Sequence, residues 1–189
     1  MEPRDWRRLI ELLGPIHRQA ALTARRLSRS VADGDDLLQE AVLRAYEKLP
    51  GLRDATRFRP WFYAILVTVH RNRARRDFWK RFVSLDGDGP GAGTDPAGEN
   101  GVDREHRRAA ARRVADALAR LPAAQREAVV LFELEGFSIG EISEVQGASV
   151  AAVKSRLARG RERLRRHYER LGYRVRPGGI VLRPEGETS

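Results

Sequence analysis

The sequence has no cysteine among its 189 residues. Disulfide bonds, cysteine-ligated zinc sites and thiol catalysis are therefore excluded. The four histidines are scattered along the chain, without the spacing that metal ligation requires. The sequence also lacks a paired nucleophile and base, a cluster of metal ligands and a phosphate-binding loop. An enzyme is thus the least favoured class of protein, and we expect no cofactor and no metal.

Long apolar runs are lacking as well. No segment approaches the length that spans a membrane, and the N-terminus has no signal-peptide core. Positive charge is in excess, because 36 Lys and Arg face 26 Asp and Glu, for a formal net charge of +10. These features predict a soluble, cytoplasmic protein with an anionic partner and no membrane insertion.

The charge is distributed in blocks. Residues 1–83 carry 18 basic and 10 acidic groups, and residues 106–170 carry 14 and eight, whereas residues 84–105 carry one and six. The acidic block is rich in Gly, Asp and Pro and has almost no large apolar residue, so it cannot offset the entropy lost on ordering. We therefore expect an all-α protein with two small helical domains. Their predicted ranges are 1–83 and 104–171, with a flexible acidic linker over 84–103 and a C-terminal tail over 172–189.

The segment from Leu118 to Arg166 is typical of two helices joined by a tight turn. Ser138 and Glu141 have the spacing of a capping box, and Gly147 supplies a break where positive φ is available. Ser149 can cap the second helix. Apolar residues at helical spacing form a stripe on both helices: Ile139, Ile142, Val145, Val150, Val153, Leu157 and Leu164.

The stripe determines which residues the second helix presents outward. Small residues there would let the helix approach a DNA major groove, and cations could contact phosphates or guanine. We interpret this helix as the recognition helix of a helix-turn-helix, although a solvated basic face on a helical hairpin is the simpler alternative. The outward residues are Ala151, Ala152, Ser155 and Arg159, flanked by Lys154, Arg156 and Ala158.

The first domain is predicted to contain three helices. The first runs from Trp6 to Ser30 and is interrupted or kinked at Gly14-Pro15, and a turn follows over residues 31–35. Asp35 or Asp36 is expected to cap the second helix, which ends at Pro50-Gly51. Capping and the helix macrodipole alone would explain its acidic start.

The third helix is predicted from Trp61 to about Arg76, with Pro60 at its first position. It is apolar early and rich in arginine late, and two aromatic residues, Phe78 and Trp79, are followed by the cations Lys80 and Arg81. Cations that follow the backbone and rings that stack on bases are typical of single-stranded DNA binding. For Trp61 and Phe62 themselves, a place in the core is the simpler interpretation.

In the second domain, helices are expected from about Asp103 and from Pro122, and Gly172 should end the last helix. The tail could form a small hairpin, but fraying is the expected outcome because an isolated hairpin is marginal. Four acidic residues are interpreted as helix surface: Glu133, Glu135, Glu141 and Glu144.

Both domains together resemble the extracytoplasmic-function subgroup of the sigma-70 family, over roughly residues 5–83 and 104–168. Asp36-Leu-Leu-Gln-Glu40, followed by Ala45-Tyr46 and Leu49, is similar to the region 2 helix that docks on the clamp coiled coil of the polymerase β′ subunit. The resemblance implies polymerase contacts by Asp36, Gln39 and Glu40, beyond capping alone.

The resemblance also implies two DNA-binding segments. Residues 57–61 and the helix after them are similar to the segment that melts and holds the minus-ten element, and residues 135–142 and 153–164 to the minus-thirty-five reader. The implied minus-ten contacts are Arg57, Phe58, Arg59, Trp61, Thr68, Arg71, Asn72 and Arg75. The implied minus-thirty-five contacts are Ser149, Ala151, Ala152, Lys154, Ser155, Arg156 and Arg159.

The sequence departs from the family pattern at three positions. Thr68 stands where an asparagine is usual, which leaves open how the flipped minus-ten base is held. Gly140 stands where an acidic residue is common. Ala158 stands where many members of the family carry a larger side chain with a ring.

The resemblance implies a sigma factor that directs core RNA polymerase, through the β′ clamp and β, to promoter DNA and aids its opening, with an anti-sigma factor as a further partner. Two alternatives stay open. A stand-alone helix-turn-helix regulator would need an apolar dimer face, which the sequence does not show. A sigma-like decoy would bind polymerase without opening DNA, and the departure at Thr68 is compatible with it.

Overall fold

The computed structural model describes residues 3–28, 30–83, 101–176 and 179–184. The first module comprises three helices, α1 (Pro3–Leu27), α2 (Val31–Lys48) and α3 (Phe58–Val83). Two short 3₁₀ turns, Leu49–Gly51 and Ala55–Arg57, lie between α2 and α3. The predicted linker falls mostly outside the described residues, and its last residues, 101–103, belong to α4.

The second module comprises α4 (Gly101–Ala119), α5 (Ala123–Val129), α6 (Ile139–Gln146) and α7 (Val150–Arg170). A π-helical segment, Val130–Leu134, extends α5. Strands β1 (Tyr173–Arg176) and β2 (Gly179–Pro184) pair antiparallel, with Tyr173 opposite Pro184. The predicted helical class is confirmed, but the expectation of a frayed tail is wrong for these two strands. Tyr173 packs edge-on against Tyr168 of α7, with ring centroids 6.1 Å apart, which anchors the hairpin.

Helix α1 is continuous, so the predicted interruption at Gly14-Pro15 is wrong. Pro15 removes one backbone donor, but apolar residues on both sides of it face the same core. Leu9 and Leu13 before it, and Ala20 and Leu27 after it, are buried. Packing of one continuous apolar face therefore outweighs the local cost of the proline.

The predicted turn over residues 31–35 is also wrong, because those residues form the first turn of α2. The N-cap is Ser30, whose hydroxyl accepts a hydrogen bond from the Asp33 amide at 3.1 Å, and not Asp35 or Asp36. Serine is among the best capping residues, so Ser30 can start the helix five residues earlier than the aspartates would.

Gly34 in α2 lies directly against the backbone of α1. A Cβ atom built on Gly34 would lie 2.5 Å from the Arg25 Cα and 2.8 Å from the Arg25 nitrogen. Arg25 also pairs with Asp35, at 2.8 Å between Nε and Oδ1. The two helices thus cross backbone to backbone at this point, which only glycine permits.

The helix-turn-helix forms as predicted. Ser138 and Glu141 make both hydrogen bonds of the capping box, Gly147 has φ of 56°, and Ser149 caps α7 through the Ala152 amide. Ile142, Val145, Val153, Leu157 and Leu164 are buried. Val150 is 46% exposed, so its predicted place in the stripe is wrong; it occupies the first turn of α7, at the edge of the core.

The two modules are in contact, with α3 of the first packed against α6 of the second. Arg126 of α5 also donates a hydrogen bond to the Leu27 carbonyl at the end of α1, at 2.8 Å. The flexible linker predicted from the sequence implies two separate bodies, but in the structure the modules share a packed interface.

Replacing Gly34 by alanine tests the helix crossing. The methyl group would overlap the α1 backbone, and we expect a net loss of about 1–3 kcal/mol in the free energy of unfolding despite the better helix propensity of alanine. The matched control is Gly14→Ala in α1, where an added Cβ meets nothing within 4 Å. That change should stabilise by about 0.5–1 kcal/mol. Chemical denaturation of both variants measures the difference, and equal stabilities would contradict the close crossing.

Candidate polymerase and nucleic-acid interfaces

The predicted polymerase contacts lie together on one face of α2. Asp36, Gln39 and Glu40 are spaced three and four residues apart, which places them on the same side of a helix. Asp36 and Gln39 are exposed. Glu40 is half-buried and accepts a hydrogen bond from Arg73 of α3, at 2.7 Å between the Arg73 Nε and the Glu40 Oε2. Burial alone would raise the pKa of the Glu40 carboxyl, but the hydrogen bond from Arg73 and the charges of Arg73 and Arg76 hold it below its ordinary value. The face is therefore anionic.

Seven of the eight predicted minus-ten residues lie on the turn before α3 and on α3 itself, and are here called the minus-ten face: Arg57, Arg59, Trp61, Thr68, Arg71, Asn72 and Arg75. Trp61, Thr68, Arg71 and Arg75 recur at helical spacing. Thr68 is exposed, and its hydroxyl donates to the Ala64 carbonyl at 2.7 Å. Asn72 and Arg75 are exposed and hydrogen-bonded to each other at 2.6 Å. The side chains of residues 78–81 lie outside the described part of the chain.

Phe58 does not reach the minus-ten face. It is 3% exposed and packs on Trp61 and Phe62, with ring centroids 5.7 and 5.8 Å away. Its ring has no exposed surface on which a base could stack, so the direct contact implied by the resemblance is not available in this arrangement. Phe62 is fully buried, as the core interpretation predicted, whereas Trp61 is partly exposed.

A cavity of about 360 Å³ opens beside the Trp61 ring. The loop from Gly51 to Asp54 forms one wall, and Asp54 fixes that loop by accepting hydrogen bonds from the amide and hydroxyl of Thr56 at 2.9 and 2.6 Å. Arg57 and Trp61 of the first module and Glu144 and Val145 of the second also line the cavity.

The predicted recognition face lies on the exposed side of α7. Ala151, Lys154 and Arg159 are exposed, and Ala152 and Ser155 are half-buried. The face is thus not buried inside its own module. Ser149 serves as the helix cap, which leaves its hydroxyl engaged with the Ala152 amide at 3.2 Å. Arg156 is half-buried and donates to the Gln146 side-chain oxygen at 2.8 Å.

Two glutamates lie buried between the modules. Glu127 is 0% and Glu135 6% exposed, so the interpretation of Glu135 as helix surface is wrong. Glu127 directly precedes the apolar run 128–132, and Glu135 lies between Leu134 and Gly136, which was the available signal of burial. Their partners in the first module lie more than 50 residues away in the chain and could not be identified from local patterns.

Glu127 is surrounded by donors from both modules. Arg71 binds both carboxylate oxygens, the Gln146 amide donates at 3.1 Å, and the His70 ring nitrogen lies 3.3 Å away. Burial alone would raise the pKa of the Glu127 carboxyl, but the hydrogen bonds from His70 and Arg71 hold it below its ordinary value. The carboxylate is therefore ionised and compensated inside the interface.

Glu135 holds a second set of partners. Its carboxylate accepts hydrogen bonds from Tyr63 at 2.8 Å, from Gln19 at 3.1 Å and from Thr23. Burial and the hydrogen bond to Glu135 raise the pKa of the Tyr63 hydroxyl, so the phenol keeps its proton and donates. Because these partners come from α1 and α3, one side chain of the second module joins two helices of the first.

Among the described residues, no group of three or more His, Asp or Glu could hold a metal ion. None of the described helices is long and apolar enough to cross a membrane.

The lowered pKa of Glu127 predicts an acid-sensitive contribution to stability. A carboxyl whose folded pKa lies below its ordinary value of 4.5 stabilises the fold above that pH, and the contribution is lost as the pH falls through the folded pKa. Glu127→Gln should therefore unfold at a lower temperature at neutral pH and lose less further stability than the parent chain between neutral pH and about pH 4. Glu133→Gln, which removes a carboxylate paired with Arg161 within the second module, is the matched control. Thermal melts over this pH range test it, and parallel profiles for all three proteins would contradict it.

The chain matches two family descriptions in order. Sigma-70 region 2 matches residues 15–80, and sigma-70 region 4 matches residues 111–164. The sigma factor SigM of Mycobacterium tuberculosis (strain H37Rv) is 36% identical over 157 residues, covering 83% of this chain and 74% of the relative. The extracytoplasmic-function sigma-E factor of Escherichia coli (strain K12) is 32% identical over 157 residues, covering 77% and 78%.

Solved structures show the same fold. The sigma factor RpoE of Bartonella quintana, in complex with the anti-sigma factor NepR, superposes with a TM-score of 0.70 at 23% identity, covering 88% of this chain and 98% of that one. CnrH, in complex with the cytosolic domain of CnrY, gives a TM-score of 0.62 at 25% identity, covering 87% and 90%.

The predicted resemblance is thus confirmed, and a stand-alone helix-turn-helix regulator would not account for the match to region 2. The chain belongs to the extracytoplasmic-function subgroup of the sigma-70 family, and it is a non-enzymatic RNA polymerase sigma factor.

Proposed function

We propose that this sigma factor works in the cytoplasm through three separate surfaces. The acidic face of α2 binds core RNA polymerase, the recognition face of α7 binds the minus-thirty-five element, and the minus-ten face binds unpaired bases. The observation that carries this division is the simultaneous exposure of the α2 and α7 faces on different modules. Two partners can therefore be held at once.

The α2 face suits a basic protein partner. Two of its three side chains are exposed, and the third is held in place by Arg73 and Arg76 rather than left to rotate. Since the side chain of Glu40 is already ordered, less conformational entropy is lost when polymerase docks there. The β′ clamp is the expected partner of this face, and β is expected to contact other parts of the chain.

The cavity beside Trp61 suits one base taken out of the stack. The partly exposed Trp61 ring supplies a stacking surface, and arginines nearby can neutralise phosphates. Thr68 lies further along the same face and presents a short hydroxyl where the family usually has an amide. Base selection would then depend more on cavity shape and on the loop from Gly51 to Asp54 than on an asparagine.

The α7 face suits a major groove. Ala151 and Ala152 allow close approach, and Lys154 and Arg159 are exposed cations at the groove edge. Arg156 is partly withdrawn by its hydrogen bond to Gln146, so Arg159 is the better candidate for a direct base contact.

An anti-sigma factor is a further proposed partner. Two structural neighbours, RpoE and CnrH, are described in complexes with NepR and with the cytosolic domain of CnrY. Their fold covers nearly nine-tenths of this chain, which supports a partner of the same kind here.

The polymerase assignment is tested by replacing Asp36, Gln39 and Glu40 together by alanine. Removing the anionic face should abolish capture of core polymerase in a pull-down, while weak binding to DNA is retained. Glu47→Ala, which removes an exposed carboxylate at the other end of α2, is the control and should bind normally. Undiminished capture by the triple variant would refute the assignment.

The minus-thirty-five assignment is tested by Arg159→Ala. A lost base contact costs about 1–3 kcal/mol, so promoter-specific transcription by the reconstituted holoenzyme should fall by about fivefold or more. Core polymerase binding should be unchanged. Arg163→Ala, one turn further along α7 and also exposed, removes the same charge and should have a smaller effect. Equal losses in both variants would show that only net charge matters.

A further inference from the structure

The hairpin of β1 and β2 has a defined place at the end of the recognition helix. The amides of Leu171 and Gly172 close α7 by hydrogen bonds of 3.0 Å to carbonyls of its last turn. Gly172 has φ of 80°, in the left-handed region that glycine adopts readily, so the chain can turn here from helix into strand. The Tyr173 ring then packs edge-on against Tyr168, which is 2% exposed. The first strand is therefore anchored on α7 where the helix ends.

The hairpin is strongly cationic. Residues 173–184 contain three arginines, Arg174, Arg176 and Arg183, and no acidic residue. The strand register places Arg174 directly opposite Arg183. Like charges at opposite positions of an antiparallel pair are destabilising, and a two-stranded hairpin is marginal in water even without them. An anion that neutralises both arginines would therefore stabilise the hairpin.

The helix ends beside the hairpin add to this positive charge. Burial and the charges of Arg120 and Arg170 lower the pKa of the His167 ring, so both guanidinium groups lie near it. Both arginines are exposed. Asp116 is the acidic residue that acts on the same ring in the opposite direction. One carboxylate therefore faces an excess of guanidinium groups at this end of the second module.

A line of exposed arginines connects the recognition face to the hairpin. Arg159, Arg163, Arg166 and Arg170 are all exposed, and their spacing of four, three and four residues places them on one side of α7. Arg166 is paired with Glu162 at 2.6 Å. From Arg159 to Arg170 the helix rises by about 17 Å, which exceeds the major-groove width of about 12 Å. With Arg159 in the groove, the hairpin thus lies beyond the groove edge, beside the sugar–phosphate backbone.

We propose that the C-terminal hairpin is a further DNA contact of this sigma factor, which binds backbone phosphates next to the minus-thirty-five element. Arg174 and Arg183 neutralise phosphates, and Arg170 contributes from the end of α7. Phosphate contacts carry no sequence information, but they raise affinity and fix the position of α7 on the duplex. The inference rests on the proposed binding of the recognition face to DNA.

A purely structural role for the hairpin makes different predictions. A hairpin that only covers the end of α7, through Tyr173, would affect the stability of the second module and leave the salt dependence of DNA binding unchanged. Phosphate contacts release counterions, so the logarithm of the association constant falls with the logarithm of salt concentration by about 0.9 per contact. The slope of that line therefore distinguishes the two roles.

The test uses reconstituted holoenzyme and a duplex carrying a promoter that is identified by sequencing the transcripts made from genomic DNA. Arg174→Gln combined with Arg183→Gln should lower the slope by about 1.8 and weaken promoter binding about tenfold or more at low salt. Arg7→Gln combined with Arg18→Gln is the matched control, because it removes the same charge from exposed positions on α1. The control should keep the parent slope. A parent-like slope in the hairpin variant would overturn the proposal.

Two further variants separate charge from folding of the hairpin. Arg174→Lys combined with Arg183→Lys keeps both charges and should keep the slope. If it lowers the slope as much as the glutamine variant does, charge is not the cause and the proposal is overturned. Tyr173→Ala leaves every arginine in place but removes the ring contact with Tyr168, and it should lower the slope. An unchanged slope in Tyr173→Ala would overturn the anchored position of the hairpin.

Hydroxyl-radical footprinting locates the contact on the DNA. In the parent holoenzyme, protection of the backbone should extend past the minus-thirty-five element on one side. The double glutamine variant should lose this flanking protection and keep protection within the element. Loss of protection within the element alone would show that the hairpin only supports α7, which would overturn the proposal.

The same footprints separate this inference from the proposed function. If protection of the minus-thirty-five element is present and all hairpin variants give the parent pattern, the hairpin contact is wrong and the sigma function stands. If the parent holoenzyme protects no such element at any promoter, the proposed role of the recognition face itself fails.

Discussion

Ionised glutamate in a protein interior is stable only where donors replace the water it has lost. Glu127 meets this condition through partners from two helices, α3 and α6, and the strongest of them, Arg71, belongs to the other module. Separating the modules would leave the carboxylate without its main cation until water reached it. This one pair therefore constrains the arrangement of the two modules, because removing either partner would leave a buried charge uncompensated.

The buried Glu135 carboxylate also depends on partners from the first module, but these partners are uncharged. Its partners Tyr63, Thr23 and Gln19 are neutral donors, and the nearest guanidinium, Arg26, lies 3.9 Å away. Hydrogen bonds of this kind are directional, so they fix the orientation of α1 and α3 against the end of the π-helical segment. One interface thus combines a charge-compensated contact at Glu127 with a set of neutral hydrogen bonds at Glu135.

Local signals in the sequence predicted the elements that depend on neighbouring residues. The capping box of Ser138 and Glu141 and the positive φ at Gly147 need only a few adjacent residues, and both were predicted correctly. Errors arose where distant packing outweighed local preference. Pro15 remains inside a helix because apolar residues on both sides of it pack in the same core. The error at Ser30 was of another kind, since two aspartates and a serine are all good caps and only the close packing of α1 and α2 shows that the helix begins at the serine.

The residues of the candidate site also fall into those that local signals predicted and those that they did not. Helical spacing was enough to group the predicted residues of α2 on one face and those of α7 on another, since each set lies on one helix. The burial of Glu127 and Glu135 could not, because it depends on pairs such as Arg71 and Glu127 that lie 56 residues apart. Phe58 shows the reverse case, in which a resemblance to a DNA-binding segment did not reveal that this ring faces the core.

The side chain of Gln146 has a consequence for the recognition helix. Its nitrogen donates to Glu127 and its oxygen accepts from Arg156, so each end of one amide has a fixed partner. A half-turn of that amide would set an oxygen against a carboxylate and a nitrogen against a guanidinium, both repulsive. The orientation of the amide is therefore fixed by the charge on each side of it. Through this single planar group, Arg156 of the proposed recognition helix is linked to the buried carboxylate between the modules.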